Sequence, residues 1–465
     1  MYVIEGVIIK DGPKDWQIIQ QTNGKADIFL SGSWFLNDKV HEFRIYARVV
    51  KEDSGDVVSG WEECKINDYG VWEITLKSIP AGGLYRIETC LHHDDVGYGN
   101  ALEWSLRGDM VHHVGVGDIF VIAGQSNAAG YAKDPIYDPP EPGIHLLKNS
   151  GKWDMASHPM NDSTSTIHEE NCEIRNSGHS PFLSFARVLK RNLGYPIGLL
   201  QASLGGSALN LWNPDENGIL YRNMIKIIES QRGNIKGVLW YQGCTDANLE
   251  ETASTYLTRF ENFIKYLRKD LKKPHLPIFT VQLNRYIVPG SSTDRNWGLV
   301  REAQRQAAKT IPEVYIVPAL DCSLSDFIHN SGASNLLLGE RLAKTALTEI
   351  YNQNYICRAP DLSCVIQTER NKLLLIFENV QDRLFTFEVD AGEMPFTVED
   401  EFGTAKIVSY EILNKNELLL TLNRDICTKA VVHGAYEKNP KFYVPIDAST
   451  HLPMLSFYNA KIQTF

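Results

Sequence analysis

The apolar and polar residues of this chain follow three successive patterns. Up to about residue 112, short runs alternate between apolar and polar positions and are separated by turn residues. From Gly117, continuous apolar runs alternate with helical patterns, and from about residue 357 the alternating pattern returns. Alternating runs are typical of β-sandwiches, whereas buried runs between helices are typical of parallel sheets. We therefore predict an N-terminal β-sandwich over 1–112, an α/β domain over 113–356 and a second β domain over 357–465.

The two outer domains are predicted to consist of short strands joined by turns. The candidate strands are 41–50, 71–76 and 84–90 in the first, and 372–377, 384–389, 405–413, 417–422 and 430–436 in the last. Gly-rich or Asp-rich turns precede the second and third of these strands. Repeated short strands with such turns favour a β-sandwich for the N-terminal domain.

The middle domain is predicted to be a doubly wound parallel sheet. Its apolar runs are 119–123, 197–200, 238–241, 278–283 and 314–319, and the amphipathic stretches lie near 182–193, 219–232, 252–272, 298–310 and 335–352. The first helix has a defined start and stop, because Ser180 suits its N-terminal cap, Pro181 its first turn and Gly194 its C-terminal cap. Residues 138–180 show no clear period. We interpret them as a long insertion over the functional edge of the sheet, with a disordered loop as the alternative.

Composition narrows the class of protein. Of the 465 residues, 43% are hydrophobic and 22% are charged, as in ordinary globular proteins. The net charge of -11 disfavours a nucleic-acid partner, and no apolar run is long enough for a membrane span. The N-terminus has no basic region followed by an apolar stretch, so we expect a cytoplasmic protein, or a secreted one if a signal has been removed. The eight cysteines are scattered, and we interpret them as reduced thiols.

Polar segments follow the predicted strands of the middle domain at four places. They are residues 124–127 (GQSN), 202–207 (ASLGGS), 240–246 (WYQGCTD) and 326–329 (DFIH). Open α/β sheets bind and transform ligands at the carboxyl ends of their strands. We therefore expect these segments to meet at one edge of the sheet.

The residue types in these segments suit acyl transfer. That chemistry needs a nucleophile, a base, a group that orients the base, and donors for the oxyanion. Ser126 can attack, His329 can take its proton, and Asp326 can hold the imidazole in the required tautomer. Asp321 is an alternative to Asp326, although its spacing to His329 suits the role less well.

The same segments contain candidate oxyanion donors. The backbone N–H of Ser126, that of Gly205 or Gly206, and the side-chain amide of Gln242 would make three donors. Each feature also has a structural alternative: a serine after a strand is often a helix cap, a glycine pair a turn, and a buried amide a partner for backbone groups. Only the four segments together, in this order, indicate an active site.

Further side chains are candidates for contact with a substrate. Gln125 and Asn127 flank the serine, and tryptophans near the expected mouth can stack on sugars. These tryptophans are Trp153, Trp212, Trp240 and Trp297.

Taken together, the four segments resemble the SGNH (GDSL-like) hydrolase superfamily, and within it the sialate O-acetylesterase-like carbohydrate esterases. The likeness is specific over residues 113–350, where 117–127, 204–212, 240–243 and 326–343 carry it. It implies a serine nucleophile, a D-x-x-H pair that supplies acid and base, and no metal or organic cofactor. The α/β-hydrolase elbow G-x-S-x-G is not matched, because Ala128 occupies the position of its last glycine.

One position departs from that family. After Gln242 and Gly243 the family commonly has an acidic residue, whereas this chain has Cys244. The change concerns substrate range or pH behaviour more than the triad. Cys244 is also a rival nucleophile, but we interpret it as a buried core thiol, because no cationic residue adjoins it in the sequence to lower its pKa.

Two histidine clusters look like metal ligands on paper. They are residues 92–95 (HHDD) and 112–113 (HH). Adjacent histidines on a strand point to opposite faces and rarely share an ion. We therefore predict that these are surface or turn residues and that the chain has no metal site.

The resemblance implies a carbohydrate O-acetylesterase with an acyl-enzyme mechanism. Its expected partner is an acetylated sugar, either a xylan- or mannan-type oligosaccharide or sialic acid. Two alternatives stay open. One is a carbohydrate-binding protein with a vestigial site, to which Cys244 points, and the other is an acyl hydrolase that acts on lipids or thioesters.

Overall fold

The structure is a computed structural model that describes residues 5–36, 42–93, 102–174, 177–290, 292–387, 394–427, 429–441 and 443–464. Strands dominate both ends of the chain, and strands alternate with helices between them. Three large clusters of buried hydrophobic side chains lie in the N-terminal, middle and C-terminal regions. Within the described ranges, no helix is both long enough and apolar enough to cross a lipid bilayer.

Among its described residues, the N-terminal region contains eight strands. They are β1 (Gly6–Asp11), β2 (Ile18–Gln20), β3 (Lys25–Phe35), β4 (Phe43–Lys51), β5 (Val57–Glu63), β6 (Lys65–Ile66), β7 (Trp72–Pro80) and β8 (Gly82–His93). One sheet has the order β1-β3-β7-β6, and β4 pairs with β5 and β8. The predicted strands at 41–50, 71–76 and 84–90 correspond to β4, β7 and β8, apart from His41, which lies outside the described residues.

The middle region alternates strands with helices. Its elements are β9 (Leu106–Gly124), α1 (Ser126–Ala129), β10 (Ile144–Leu147), β11 (Trp153–Met155), α2 (Phe182–Leu193), β12 (Ile197–Gln201), α3 (Ile219–Ser230), β13 (Gly237–Tyr241), α4 (Glu250–Ser254), α5 (Tyr256–Asp270), β14 (Ile278–Val281), α6 (Asp294–Thr310), β15 (Val314–Val317) and α7 (Gly332–Glu349). Short 3₁₀ helices span Leu102–Trp104, Glu169–Asn171, Leu209–Leu211 and Asp246–Asn248. The α/β pattern predicted for this region is confirmed.

The central sheet has the order β10-β12-β9-β13-β14-β15 with parallel pairing throughout, and β11 adds an antiparallel edge. The five predicted runs correspond to β9, β12, β13, β14 and β15. The strands β10 and β11 lie within 138–180, where the sequence pattern predicts none. His145 interrupts the apolar run of β10, and β11 has only three residues.

The strand β9 belongs to two regions of the molecule. Its first part pairs antiparallel with β8, and its second part pairs parallel with β12 on one side and β13 on the other. The predicted boundary between residues 112 and 113 therefore falls inside one continuous strand. The neighbours of β9, which are β12 and β13, lie on its opposite sides. The carboxyl end of β9 is therefore a topological switch point, and open α/β sheets bind their ligands at such points.

Local signals set the helix ends. Gly194 has φ 75°, and its N–H bonds to the carbonyl of Lys190, so α2 ends in the left-handed cap that glycine favours. The predicted helix near 252–272 is divided into α4 and α5 at Thr255, whose hydroxyl donates to the carbonyl of Glu251 at 2.8 Å. Such back-bonding competes with the regular helical pattern.

The C-terminal region is again made of strands. They are β16 (Asp361–Glu369), β17 (Lys372–Glu378), β18 (Leu384–Phe385), β19 (Phe396–Asp400), β20 (Gly403–Ala405), β21 (Ile407–Asn414), β22 (Glu417–Leu422), β23 (Val431–Gly434), β24 (Ile446–Asp447) and β25 (Phe457–Thr464). Eight of them form one sheet, and β18 pairs with β24. The predicted strand at 405–413 is divided between β20 and β21, and the end of the one at 384–389 lies outside the described residues.

Candidate active site

Ser126 stands where β9 ends. Gly124 has φ 128°, and a Cβ there would lie 2.3 Å from the carbonyl oxygen of Tyr241, so a glycine is required for this close approach to β13. The chain then turns into α1, of which Ser126 is the first residue and is 8% exposed. The serine is thus held by the sheet but open to one side.

The predicted acid and base form one compact turn. Asp326 Oδ1 accepts the backbone N–H groups of Ile328 and His329, both at 2.8 Å, and Oδ2 lies 2.6 Å from His329 Nδ1. Burial raises the pKa of Asp326, but these hydrogen bonds outweigh it and hold the pKa below its usual range. A charged Asp326 fixes the ring with Nε2 left to exchange a proton.

Asn127 joins the serine to this turn. Its Oδ1 accepts the N–H of Asn330 at 3.0 Å, and its Nδ2 donates to the carbonyl of Ile328 at 3.3 Å. The side chain is 3% exposed and its amide is used on both sides of His329. The suggested contact of Asn127 with substrate is therefore contradicted, and its bonds instead set the distance between Ser126 and His329.

Ser126 and His329 meet in one pocket of about 360 Å³. Its lining is made up of Gln125, Ser126, Tyr131, Glu173, Gly205, Gly206, Cys244, Thr245, Asn248, Tyr286, Trp297, Phe327, Ile328 and His329. Among the hydrogen bonds of the described residues, none joins Ser126 Oγ to His329 Nε2. Such bonds are often long before a substrate binds, so proton transfer needs a closer approach of these two atoms.

The backbone N–H groups of Gly205 and Gly206 have different surroundings. The N–H of Gly205 donates to Glu173 Oε1, and the Tyr131 hydroxyl bonds to the other oxygen of the same carboxylate. The N–H groups of Ser126 and Gly206 are uncommitted within the described part of the chain. Of the predicted oxyanion donors, these two are therefore available, whereas that of Gly205 is engaged.

The predicted role of Gln242 as an oxyanion donor is contradicted. Its Nε2 donates to the Ser207 carbonyl at 3.0 Å and to Asp246 Oδ2 at 2.6 Å, and its Oε1 accepts from the Tyr256 hydroxyl at 2.9 Å. The side chain is fully buried and does not line the pocket. Burial raises the pKa of Asp246, although hydrogen bonds from Gln242, the Leu209 N–H and Arg259 oppose this. Gln242 therefore braces the wall behind the pocket.

Gln125 is placed differently. Its Oε1 accepts the N–H groups of Gly243 at 3.0 Å and Thr245 at 3.3 Å, while its Nε2 is uncommitted among the described residues. Because Gln125 lines the pocket, this amide can donate into it. Contact between Gln125 and a substrate stays a prediction.

The tryptophans suggested for sugar stacking are not at the surface. Trp212 and Trp240 are 0% and 1% exposed, and they pack edge to face with ring centroids 5.4 Å apart. Trp153 bonds Gln231 and lines a different cavity, beside the N-terminal region. Only Trp297 lines the candidate site, and it is fully buried behind Tyr286. The two substrate contacts suggested for Trp212 and Trp240 are wrong, because hydrophobic burial has taken both rings into the core.

Cys244 and Asp321, the alternatives to Ser126 and Asp326, have structural roles. Cys244 is 5% exposed, and burial raises the pKa of its thiol to about 12, so it is neutral at ordinary pH and a poor nucleophile. Asp321 forms a two-point ion pair with Arg341, at 2.7 and 2.6 Å, and does not line the pocket. Asp326 is the acid that faces the histidine.

One group of described residues has the spacing of a metal site: Asp138, His158 and His179. Both histidine Nε2 atoms lie 3.0 Å from Asp138 Oδ2, and Arg187 bonds the other oxygen. Because His158 Nδ1 accepts the N–H of Ser180 at 3.4 Å, the ring proton belongs on Nε2 and points at the carboxylate. This group therefore suits a hydrogen-bonded brace of the segment 138–180 better than a metal.

The two histidine clusters of the sequence differ from expectation. His112 and His113 both contact Glu52, because His113 has φ 58° and leaves the alternation of a strand. His93 is buried on β8 rather than at the surface. Asp94 and Asp95 lie outside the described residues.

Several pocket residues were not found from the sequence. Tyr286 follows β14, so the rule that sites lie beyond strand ends would have indicated it. Phe327 lies inside the D-x-x-H segment itself. Tyr131 and Glu173 come from loops with no periodic signal, and only the folded chain brings them to the serine.

Comparisons with known proteins identify the family of this chain. A family described as "carbohydrate esterase, sialic acid-specific acetylesterase" matches residues 116–348. A probable carbohydrate esterase of Arabidopsis thaliana is 33% identical over 252 residues, which span 50% of this chain and 90% of that protein. A carbohydrate acetylesterase structure from Xanthomonas citri covers 96% of this chain and 97% of its own with a TM-score of 0.66. At 21% identity, that likeness concerns the fold.

Proposed function

This chain belongs to the carbohydrate esterase family of sialic acid-specific acetylesterases, and we propose that it releases acetate from an O-acetylated sugar by serine catalysis. Family membership supports an acetylated carbohydrate as the substrate. The observation that carries the serine mechanism is the 2.6 Å contact between Asp326 Oδ2 and His329 Nδ1, on a turn that shares a pocket with Ser126. In this proposal Ser126 and His329 line one cavity as nucleophile and base, and Asp326 orients the His329 ring.

In the proposed reaction, His329 Nε2 takes the proton of Ser126 as the serine Oγ bonds to the ester carbonyl carbon. The N–H groups of Ser126 and Gly206 stabilise the resulting oxyanion. When the oxyanion collapses, the bond to the sugar oxygen breaks and that oxygen takes the proton from His329. A water molecule then attacks the acetyl-serine, again with His329 as base, and acetate leaves as the proton returns to Ser126.

Two substrate classes are included in the proposal: xylan- or mannan-type oligosaccharides and sialic acid. The aromatic rings of Tyr131, Tyr286 and Phe327 around the pocket support a sugar beside the acetyl group. Of the alternatives, a binding protein and a lipid hydrolase are distinguished by the same experiment.

The test measures acetate release from acetylated xylo- and manno-oligosaccharides and from O-acetyl sialic acid, together with nitrophenyl acetate and octanoate. A reactive phosphonate should label the peptide that contains Ser126. We expect release from at least one acetylated sugar and faster hydrolysis of acetate than of octanoate. A folded protein that binds sugars without releasing acetate would be a binding protein, and a preference for octanoate would indicate a lipid hydrolase.

A further inference from the structure

Three aromatic side chains form one wall of the pocket. The Tyr286 ring stacks on Trp297 with centroids 5.6 Å apart and planes inclined by 20°, and Phe327 lies edge to face with Tyr286 at 6.1 Å. Trp297 is fully buried, whereas Phe327 is 50% exposed and Tyr286 is partly exposed. Tyr286 and Phe327 therefore present aromatic surface to the pocket, and Trp297 supports Tyr286 from behind.

We propose that Tyr286 and Phe327 form a stacking subsite for the sugar that carries the acetyl group, and that Lys438 of the C-terminal region positions this subsite. The inference rests on the proposed function and names the part of the site that binds the sugar. Aromatic rings bind the apolar C–H face of a sugar while its hydroxyl groups stay hydrated. The ring centroids of Phe327 and His329 lie 6.4 Å apart, so a sugar stacked on Phe327 would lie next to the proposed base.

Lys438 holds the segment that carries Tyr286. Its carbonyl accepts the N–H of Tyr286 at 2.8 Å, and its Nζ donates to the carbonyls of Val288 at 2.7 Å and Ser292 at 3.2 Å. The same ammonium lies 5.6 Å from the Tyr286 ring centroid. One residue of the C-terminal region thus fixes both the backbone and the ring face of Tyr286.

The same segment is tied to the catalytic turn. The N–H of Ile287 donates to the carbonyl of Phe327 at 3.0 Å, one residue after Asp326 and two before His329. A displacement of the segment would therefore move the aromatic wall relative to His329. Lys438 touches none of the reacting groups and acts through Tyr286, which makes it a positioning residue.

Arg301 also links the middle and C-terminal regions beside this segment. It lies on α6, is fully buried, and donates to the carbonyls of Leu283 at 3.0 Å on the sheet side and of Ala435 at 3.2 Å and Glu437 at 2.6 Å on the C-terminal side. Burial lowers the pKa of this guanidinium to about 9. Because its hydrogen-bond partners are carbonyls of both regions, the guanidinium links them at the edge of the pocket.

The experiment compares Lys438→Met and Lys438→Arg with Lys461→Met, an exposed lysine of β25 in the same region. Acetate release is followed with the acetylated sugar that the wild type hydrolyses best and with ethyl acetate, which has no sugar to stack. We expect Lys438→Met to raise KM for the sugar about tenfold, with kcat changed less than about twofold and ethyl acetate hydrolysis retained. Lys438→Arg should restore most of the affinity, and Lys461→Met should match the wild type.

Tyr286→Ala tests the subsite itself, and should raise KM for the sugar by about tenfold or more. If KM is unchanged in both Lys438→Met and Tyr286→Ala with native melting, the subsite is overturned. If Lys438→Met lowers both activities together with the melting temperature, its role is general stability and the positioning inference is overturned. A wild type that hydrolyses ethyl acetate but no acetylated sugar contradicts the proposed function first, which keeps the two failures distinct.

Discussion

Asp118 and Asp326 lie at opposite edges of the central sheet and differ in what their hydrogen-bond partners do. Asp118 lies at the amino edge, is fully buried and accepts bonds from Gln20, Gln21, Tyr195 and Tyr351 at 2.6 to 3.1 Å. The side chain of Asp326 lies at the carboxyl edge and is 37% exposed. The four side chains that contact Asp118 all donate hydrogen bonds to its carboxylate. The His329 ring contacts Asp326 through Nδ1 only, which leaves Nε2 for proton transfer in the proposed reaction.

The two outer β regions also contact opposite edges of the central sheet. The N-terminal region reaches the sheet through β9 and through the glutamines that bond Asp118. The C-terminal region reaches it through Arg301 and Lys438, beside the pocket. We therefore expect changes at the amino edge to lower stability, and changes at the carboxyl edge to lower turnover or substrate affinity.

The largest effect is expected at Ser126. Ser126→Ala should reduce turnover of any ester by about ten-thousandfold or more, because the proposed acyl-enzyme forms on this hydroxyl. The melting temperature should stay within about 2 °C of the wild type, since only a small, partly open hydroxyl is lost. Steady-state kinetics and thermal melting check both parts. Substantial turnover in this variant would show that Ser126 is not the nucleophile.

Asp118→Asn should act on stability instead. The new amide turns an N–H₂ group towards donors, and we expect the free energy of unfolding to fall by about 3 kcal/mol. Turnover per folded molecule should be unchanged. Denaturant unfolding provides the measurement, and Asp382→Asn, at an exposed position of the C-terminal region, is the matched control. Lost turnover with native stability would contradict the division between the two edges.

The variant Gln242→Ala tests whether Gln242 supports the pocket wall or donates a hydrogen bond to the oxyanion. Because Asp246, Ser207 and Tyr256 lose a partner, we expect a loss of about 2 kcal/mol in the free energy of unfolding, with turnover per folded molecule reduced only severalfold. Loss of one oxyanion donor would instead reduce turnover by about a hundredfold or more at native stability. Melting and kcat measured on the same preparation decide between the two outcomes.

The smallest effect is expected at Cys244. Burial raises the pKa of its thiol to about 12, so the thiol stays protonated below that pH and unreactive near neutrality. Iodoacetamide at pH 8 should alkylate the exposed Cys172 and leave Cys244 unmodified, as read by peptide mass spectrometry. Cys244→Ser should change turnover less than about twofold. Rapid labelling of Cys244 together with loss of activity would indicate that Cys244 takes part in the reaction.

Sequence patterns predicted five strands of the central sheet and the segments that follow them. They failed where long-range packing decided the outcome. The bulk of Trp212 and Trp240 looked suited to sugars, but the same bulk is most stable inside the core. Strands β10 and β11 were not predicted, because His145 interrupts the apolar run of β10 and β11 has only three residues.

The sequence by itself determined the Asp326–His329 turn, because its hydrogen bonds close within four residues and need no distant partner. It also determined the family resemblance, which the comparisons confirm. The tertiary structure alone decided which side-chain amide lines the pocket and which is fully hydrogen-bonded inside the protein. Gln125 and Gln242 look equivalent along the chain, but the atoms that reach Gln242 come from Ser207, Asp246 and Tyr256. A polar side chain acquires its role from the nearest unsatisfied partner, and folding rather than sequence order supplies that partner.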